Sequence, residues 1–144
     1  MSYTYKYPRP AVTVDIILMR NACEKPEVLL IQRLDPPFQD CWAFPGGFVD
    51  MEETLEEAAT RELFEETGVT GVLLSQFNAY SSLDRDPRGR TISVIFTGIA
   101  KENETVKAGD DAKDTRWFKL EDLPELAFDH NEIITDLITT MKMK

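Results

Sequence analysis

Between Gly47 and Val69 the chain reads GFVDMEETLEEAATRELFEETGV, and this stretch constrains the fold more than any other. Leu55 to Thr67 has the pattern of a helix, and Gly68 stands where a left-handed residue would end it. At about 100° per residue, Leu55, Ala58, Ala59 and Leu63 form one apolar stripe. Glu62 and Glu66 project from the middle of that stripe, and Glu65 lies on its edge, one turn from Arg61. An ordinary charged surface helix keeps its carboxylates on the opposite face, where Glu56, Glu57 and Thr60 sit. The alternative is a helix that turns carboxylates toward the core. Buried, uncompensated carboxylates are costly, so that alternative needs a counter-charge. A divalent cation supplies one, because hard ions such as Mg²⁺ prefer carboxylate oxygens. The stripe position of Glu62 and Glu66, with the FPGGF segment just upstream, favours the metal-binding helix.

The rest of the chain is read as one domain, residues 1–144, of ordinary size. A hydrophobic content of 42% is enough for a proper core. The net charge of −10 argues against a general nucleic-acid or membrane surface. It leaves a nucleotide open, because bound metal neutralises phosphate. Cys23 and Cys41 form no metal or redox pattern and read as free thiols in a reducing compartment. Neither a signal peptide nor a membrane-length apolar run is visible, so a cytoplasmic protein is expected.

Along the chain, Met1 to Pro10 is Tyr- and Pro-rich and reads as an extended arm that packs on its own body or crosses to a second subunit. Ala11 to Met19 alternates around Val12, Val14, Ile16 and Leu18, and Val28 to Gln32 is a short apolar run; together they predict a hairpin at the edge of a mixed sheet. Pro36-Pro37 breaks the following loop. In WAFPGG the glycines allow tight backbone approach, and Trp42 serves either as a half-buried core aromatic or as a contact for a base or ribose. Thr70 to Ser81 and Thr91 to Ala100 read as strands. Between them, Arg85, Arg88 and Arg90 stand together in an acidic protein, either as a solvated turn or as a diphosphate or ribose clamp, since guanidinium forks match phosphate oxygens. Lys101 to Asp114 is a polar loop whose Asp110 and Asp111 are either solvated or supply a further ligand or a base. Arg116 to Phe118 is a short strand, and Ile133 to Met141 the last helix. His130, the single histidine, reads as a capping or surface group, and Phe128 as core or as a nucleobase platform.

The order Gly47, Glu53, Arg61-Glu62-Leu63, Glu65-Glu66, Gly68-Val69 matches every defined position of the Nudix box, and the chain resembles the Nudix hydrolases. The pieces YPRPAVTVD, WAFPGGFVDMEETLEEAA, DRDPRGRTISV, GDDAKDTRWF and LAFDH look like the small bacterial ADP-ribose pyrophosphatase branch. The resemblance implies an α/β/α sandwich with a mixed β-sheet between helices. It implies Mg²⁺ or Mn²⁺ held by Glu62, Glu65, Glu66 and the Gly46 carbonyl, with Arg61 and Glu53 in support. The base is then Glu65 or an acid of the 102–114 loop. Arg85, Arg88, Arg90, Trp42 and Phe128 are the candidate substrate contacts. The implied reaction is metal-dependent hydrolysis of ADP-ribose to AMP and ribose 5-phosphate. The alternatives are another substrate (a sugar nucleotide, NADH or a modified nucleoside triphosphate) or a non-catalytic ADP-ribose sensor. Similar domains occur fused to a nucleotide adenylyltransferase and in regulators of NAD metabolism. We expect neither fusion here, since there is no second enzyme and no room for a winged helix after the last helix. The intact box argues against the sensor, Gln32 to Pro45 lacks the coenzyme A signature, and a homodimer is expected.

Overall fold

The computed structural model describes residues 2–21, 24–109 and 112–142. The readings placed on Cys23, Asp110 and Asp111 lie outside these residues. The elements run β1 (Ala11–Arg20), β2 (Glu27–Arg33), β3 (Trp42–Ala43), β4 (Gly46–Phe48), α1 (Leu55–Thr67), β5 (Ser75–Tyr80), β6 (Thr91–Ile99), β7 (Ala112–Lys119) and α2 (His130–Lys142).

β1 is the central strand. It runs parallel to β6 from Ala11↔Thr91 to Met19↔Ile99. Its side chains alternate between two cores. Val14, Ile16 and Leu18 pack with Ala58, Ala59 and Leu63 of α1. Ile17 and Met19 pack with Ile133, Ile134 and Leu137 of α2. This corrects the edge hairpin: β1 is buried on both faces from Thr13 to Met19, as a strand between two helical layers must be. The result is the expected α/β/α arrangement around a mixed sheet.

The other edge of β1 forks. At one end Met19 and Arg20 pair with β2; at the other, Thr13 to Asp15 pair with β4. β2 diverges from β1 and takes β3 beside Ile31 and Gln32. The chain from β3 to β4 therefore crosses the opening between β1 and β2, and the candidate site lies in that opening.

Three other elements differ from their sequence pattern. β5 begins at Ser75 instead of Thr70, because Gly71 turns the chain at φ 74 while Val72 and Leu74 pack onto the α1 core. β7 is longer than Arg116–Phe118, because β2 offers it a full edge from Glu27 to Arg33. α2 starts at His130, ahead of the first apolar helical position.

α1 begins and ends as its pattern predicts. Gly68 is left-handed at φ 77, and its N–H donates to the Phe64 carbonyl. The N-terminus carries a capping box that sequence reading missed, although Thr54-x-x-Glu57 spells it. The Glu57 N–H donates to Thr54 Oγ1 at 3.1 Å, and the Thr54 N–H donates to Glu57 Oε1 at 3.0 Å. Replacing Thr54 with Ala is expected to cost about 1 kcal/mol, read as a lower urea midpoint at unchanged slope. An unmoved midpoint would show that the box adds nothing. At the C-terminal end the 101–109 loop donates Lys107 N–H to the Thr67 carbonyl and Gly109 N–H to the Glu66 carbonyl. That polar loop thus caps α1.

Candidate active site

The helix periodicity places the carboxylates as read. Glu62 is buried and Glu66 half-buried, while Glu65 is exposed. Arg61 is the hub that holds them. It donates to Glu53 through Nε at 2.9 Å and Nη2 at 2.5 Å. Its Nη1 reaches Glu62 Oε1 at 2.8 Å and Glu65 Oε2 at 3.1 Å. Glu53 also accepts the Asp50 N–H, and the Arg61 bonds with this one hold its carboxyl down near 2. Glu62 is pushed upward, chiefly by burial, although Arg61 opposes the shift; Glu65 and Glu53 add like charge.

β4 presses against this wall. The Gly46 N–H donates to Glu66 Oε2 at 3.0 Å. A side chain at Gly47 would run into the Glu62 carboxylate, and one at Gly46 would run into the backbone of Val14 and Asp15. Gly46 needs to be glycine because backbone approaches it so closely, whereas at Gly47 the obstacle is the end of the Glu62 side chain.

At the fork is a cleft lined by Glu66 together with Asp15, Arg33, Arg85, Arg88, Phe128 and His130, among others. The arginines of the 82–90 loop prove to have three different environments. Arg85 is buried, with a side chain 4% exposed. It grips Asp129 at both oxygens, at 2.7 and 2.9 Å, and Ser93 Oγ at 2.7 Å. It therefore joins the loop to the segment before α2, and its charge is already neutralised. Arg88 is bound to Asp86 through Nε and Nη2 and lies over the Phe48 ring, with its side chain 40% exposed. Arg90 turns back to the Ser81 carbonyl and is outside the cleft lining. Trp42 is also outside the lining, edge-on to Phe118 at 4.8 Å, which is the core alternative of its two readings. Phe128 lines the cleft in a left-handed conformation, φ 53.

His130 is neither a surface group nor a simple cap. It is 3% exposed, and its Nδ1 accepts the Phe44 N–H at 3.2 Å. The ring proton therefore sits on Nε2, which points toward Asp15 Oδ2 at 3.9 Å. Burial pushes His130 down to about 3, so the ring is neutral and the contact is not an ion pair. Asp15 is raised to about 7, first by burial, with Arg85 and Ser93 pulling it down and Asp129 and Glu62 pushing it up.

Sequence reading missed Asp15, Arg33, Ser93 and Asp129. For Asp15 a signal existed: a carboxylate inside the apolar run VTVDIIL is as incongruous as Glu62 on its stripe. Arg33, at the end of a strand, carries no such mark.

The donor set suits a hard cation. Glu62, Glu65 and Glu66 offer only oxygen, and a cation would relieve the strain of a buried carboxylate among like charges. Among the described residues no three acidic, His or Cys side chains are gathered as a metal-ion cluster. Glu62 and Glu65 are instead bonded to Arg61, so a cation here would draw on Glu66, backbone carbonyl and water oxygens as well, as Mg²⁺ sites commonly do.

Residues 9–137 match the family described as the NUDIX domain. Over 130 residues the chain is 49% identical to the ADP-ribose pyrophosphatase of Methanocaldococcus jannaschii, covering 90% of this chain and 74% of that protein. It is 32% identical to the ADPR responsive transcriptional repressor NtrR of Acinetobacter baylyi, over 96% of this chain but only 57% of the repressor's length. The NUDIX domain of Shewanella oneidensis NrtR, solved with ADP ribose, matches at a TM-score of 0.86 and 31% identity, covering 96% of this chain and 94% of that one. The chain belongs to the Nudix hydrolases. No helix among the described residues is long and apolar enough to cross a membrane.

Proposed function

We propose that this protein hydrolyses ADP-ribose to AMP and ribose 5-phosphate with Mg²⁺ or Mn²⁺. The observation that carries the reading is one cleft lined both by Glu66 of α1 and by the arginines Arg33 and Arg88, with Phe128 among them. A diphosphate needs both, a metal-holding carboxylate for its charge and cationic side chains for its free oxygens. The 49% identity to an ADP-ribose pyrophosphatase and the likeness to a domain solved with ADP ribose favour this substrate.

Glu62, Glu65, Glu66 and the Gly46 carbonyl would hold the metal, which when bound withdraws charge from the diphosphate and lowers the pKa of water. Arg61 keeps Glu53, Glu62 and Glu65 oriented through the bonds described above. The Gly46 N–H fixes one oxygen of Glu66. Glu65, exposed and tethered by Arg61, is our choice for the base. It takes a proton from the attacking water as the new P–O bond forms and the diphosphate P–O bond breaks. The same reading takes the chain as one domain, acting as a cytoplasmic homodimer, with the exposed Tyr3, Tyr5 and Tyr7 of the arm available to a second copy.

Chromatography of products with Mg²⁺ tests the reading across ADP-ribose, NADH, sugar nucleotides and oxidised nucleoside triphosphates. AMP and ribose 5-phosphate in equal amounts, lost on chelation, are expected. Preferred release of pyrophosphate from a triphosphate would overturn the substrate. The likeness to an ADPR responsive repressor gives a second reading, a sensor. Recovery of ADP-ribose bound but uncleaved after incubation with Mg²⁺ would favour it.

A further inference from the structure

Arg33 is the cleft cation whose charge is least compensated. Its Nε donates to the Pro37 carbonyl at 2.7 Å and its Nη2 to the Asp35 carbonyl at 3.4 Å. Both partners are neutral. Among the described residues Arg33 forms no ion pair, whereas Arg85 and Arg88 each have a carboxylate within 2.8 Å. Burial and the like charge of Arg88 both disfavour its protonated form, and Glu66, Asp86 and Asp35 act on it only from a distance. A guanidinium keeps its charge regardless.

Arg33 and Arg88 nevertheless converge. The carbon centre of one guanidinium lies 5.0 Å from the Phe128 ring and that of the other 5.4 Å. Cation–π attraction to a shared ring offsets part of their repulsion. The ring is itself held. Phe38 packs on it at 4.8 Å and His130 at 5.6 Å, and its backbone is left-handed, which costs energy at a residue other than glycine. Two cations brought to one strained aromatic residue, in a chain of net charge −10, leave a gap suited to an anion. Guanidinium forks match phosphate oxygens in geometry as well as charge.

We propose that Arg33 and Arg88, set by the ring of Phe128, are the diphosphate-binding pair of the cleft, with Arg33 the principal ligand. Arg88 shares its charge with Asp86 and contributes less. Phe128 then positions the pair instead of stacking on a nucleobase, and Arg85 is a strut. This deepens the ADP-ribose reading and rests on it for the identity of the diphosphate, but not for the anion site itself.

The test uses wild type, Arg33→Gln and Arg33→Lys, with inorganic pyrophosphate titrated by calorimetry in Mg²⁺ buffer and ADP-ribose kinetics measured in parallel. For Arg33→Gln we expect pyrophosphate Kd to rise about tenfold or more, the usual loss for a charged hydrogen bond. KM for ADP-ribose should rise more than kcat falls, at an unchanged melting temperature. Arg33→Lys should recover part of the affinity through its charge. An Arg33→Gln Kd within twofold of wild type, or no pyrophosphate binding by wild type, would overturn the proposal. The two readings fail separately. Weakened pyrophosphate binding without ADP-ribose turnover would keep the anion pair and remove the substrate. Normal ADP-ribose turnover by Arg33→Gln, with KM unchanged, would do the reverse.

Discussion

Glu66→Gln should lower kcat by about 10²–10³-fold, the scale seen when one electrostatic contact to a transition state is removed, and leave the fold intact. The change is nearly isosteric. A glutamine oxygen can still accept the Gly46 N–H that Glu66 Oε2 accepts at 3.0 Å, so the approach of β4 to α1 survives. The negative charge is lost. Glu66 is the box carboxylate that lines the cleft, and a cation held there would have one anionic ligand fewer. The measurement is kcat at saturating Mg²⁺ and substrate, with melting temperature as the control. Near-normal kcat would remove Glu66 from the metal set.

The second large effect is on stability. Arg85→Ala should destabilise the protein by about 3–5 kcal/mol, the usual penalty for removing one partner of a buried ion pair. In a chain of this size that corresponds to a melting temperature roughly 10 °C lower. The guanidinium is 4% exposed and the Asp129 side chain 14%, so water cannot replace what is lost. Ser93 Oγ loses its donor at the same time, and Asp15 loses the nearby positive charge that lowers its pKa. Arg90→Ala provides the contrast. The Arg90 side chain bonds only the Ser81 carbonyl among its described contacts, and its loss should stay within about 0.5 kcal/mol. Were Arg85 a free substrate clamp, its removal would raise KM and leave the melting temperature alone. Thermal scans with KM measurements separate the two roles.

Both predictions turn on residues that the sequence treated differently. Glu66 was legible because a helix imposes its own geometry. With 3.6 residues per turn, the position of Glu62 and Glu66 on the stripe of Ala58, Ala59 and Leu63 follows from spacing alone, and Glu62 is buried beside Leu63 as that spacing requires. The Gly68 terminus is similarly local. Trp42 and His130 were harder. Each has a chemically plausible surface or ligand role, and each was placed by a partner far along the chain, Phe118 for Trp42 and the Phe44 N–H for His130.

By itself, the sequence determined α1, its inward carboxylates, the main strands and the Nudix family, because these depend on contacts within a few turns or on fixed spacing. Only the tertiary structure decided which cation is available. Arg85, Arg88 and Arg90 are alike in the sequence, yet one is neutralised by Asp129, one by Asp86, and one turns to Ser81. Arg33 meets Phe128 because β3 bonds both β2 and the segment before α2, at Trp42↔Leu126 and through the Ala127 N–H. The parallel pairing of β1 with β6 likewise brings Ser93 beside Asp15. Such meetings depend on strand order, and strand order is set by which long-range pairings bury the most apolar surface, not by any local pattern.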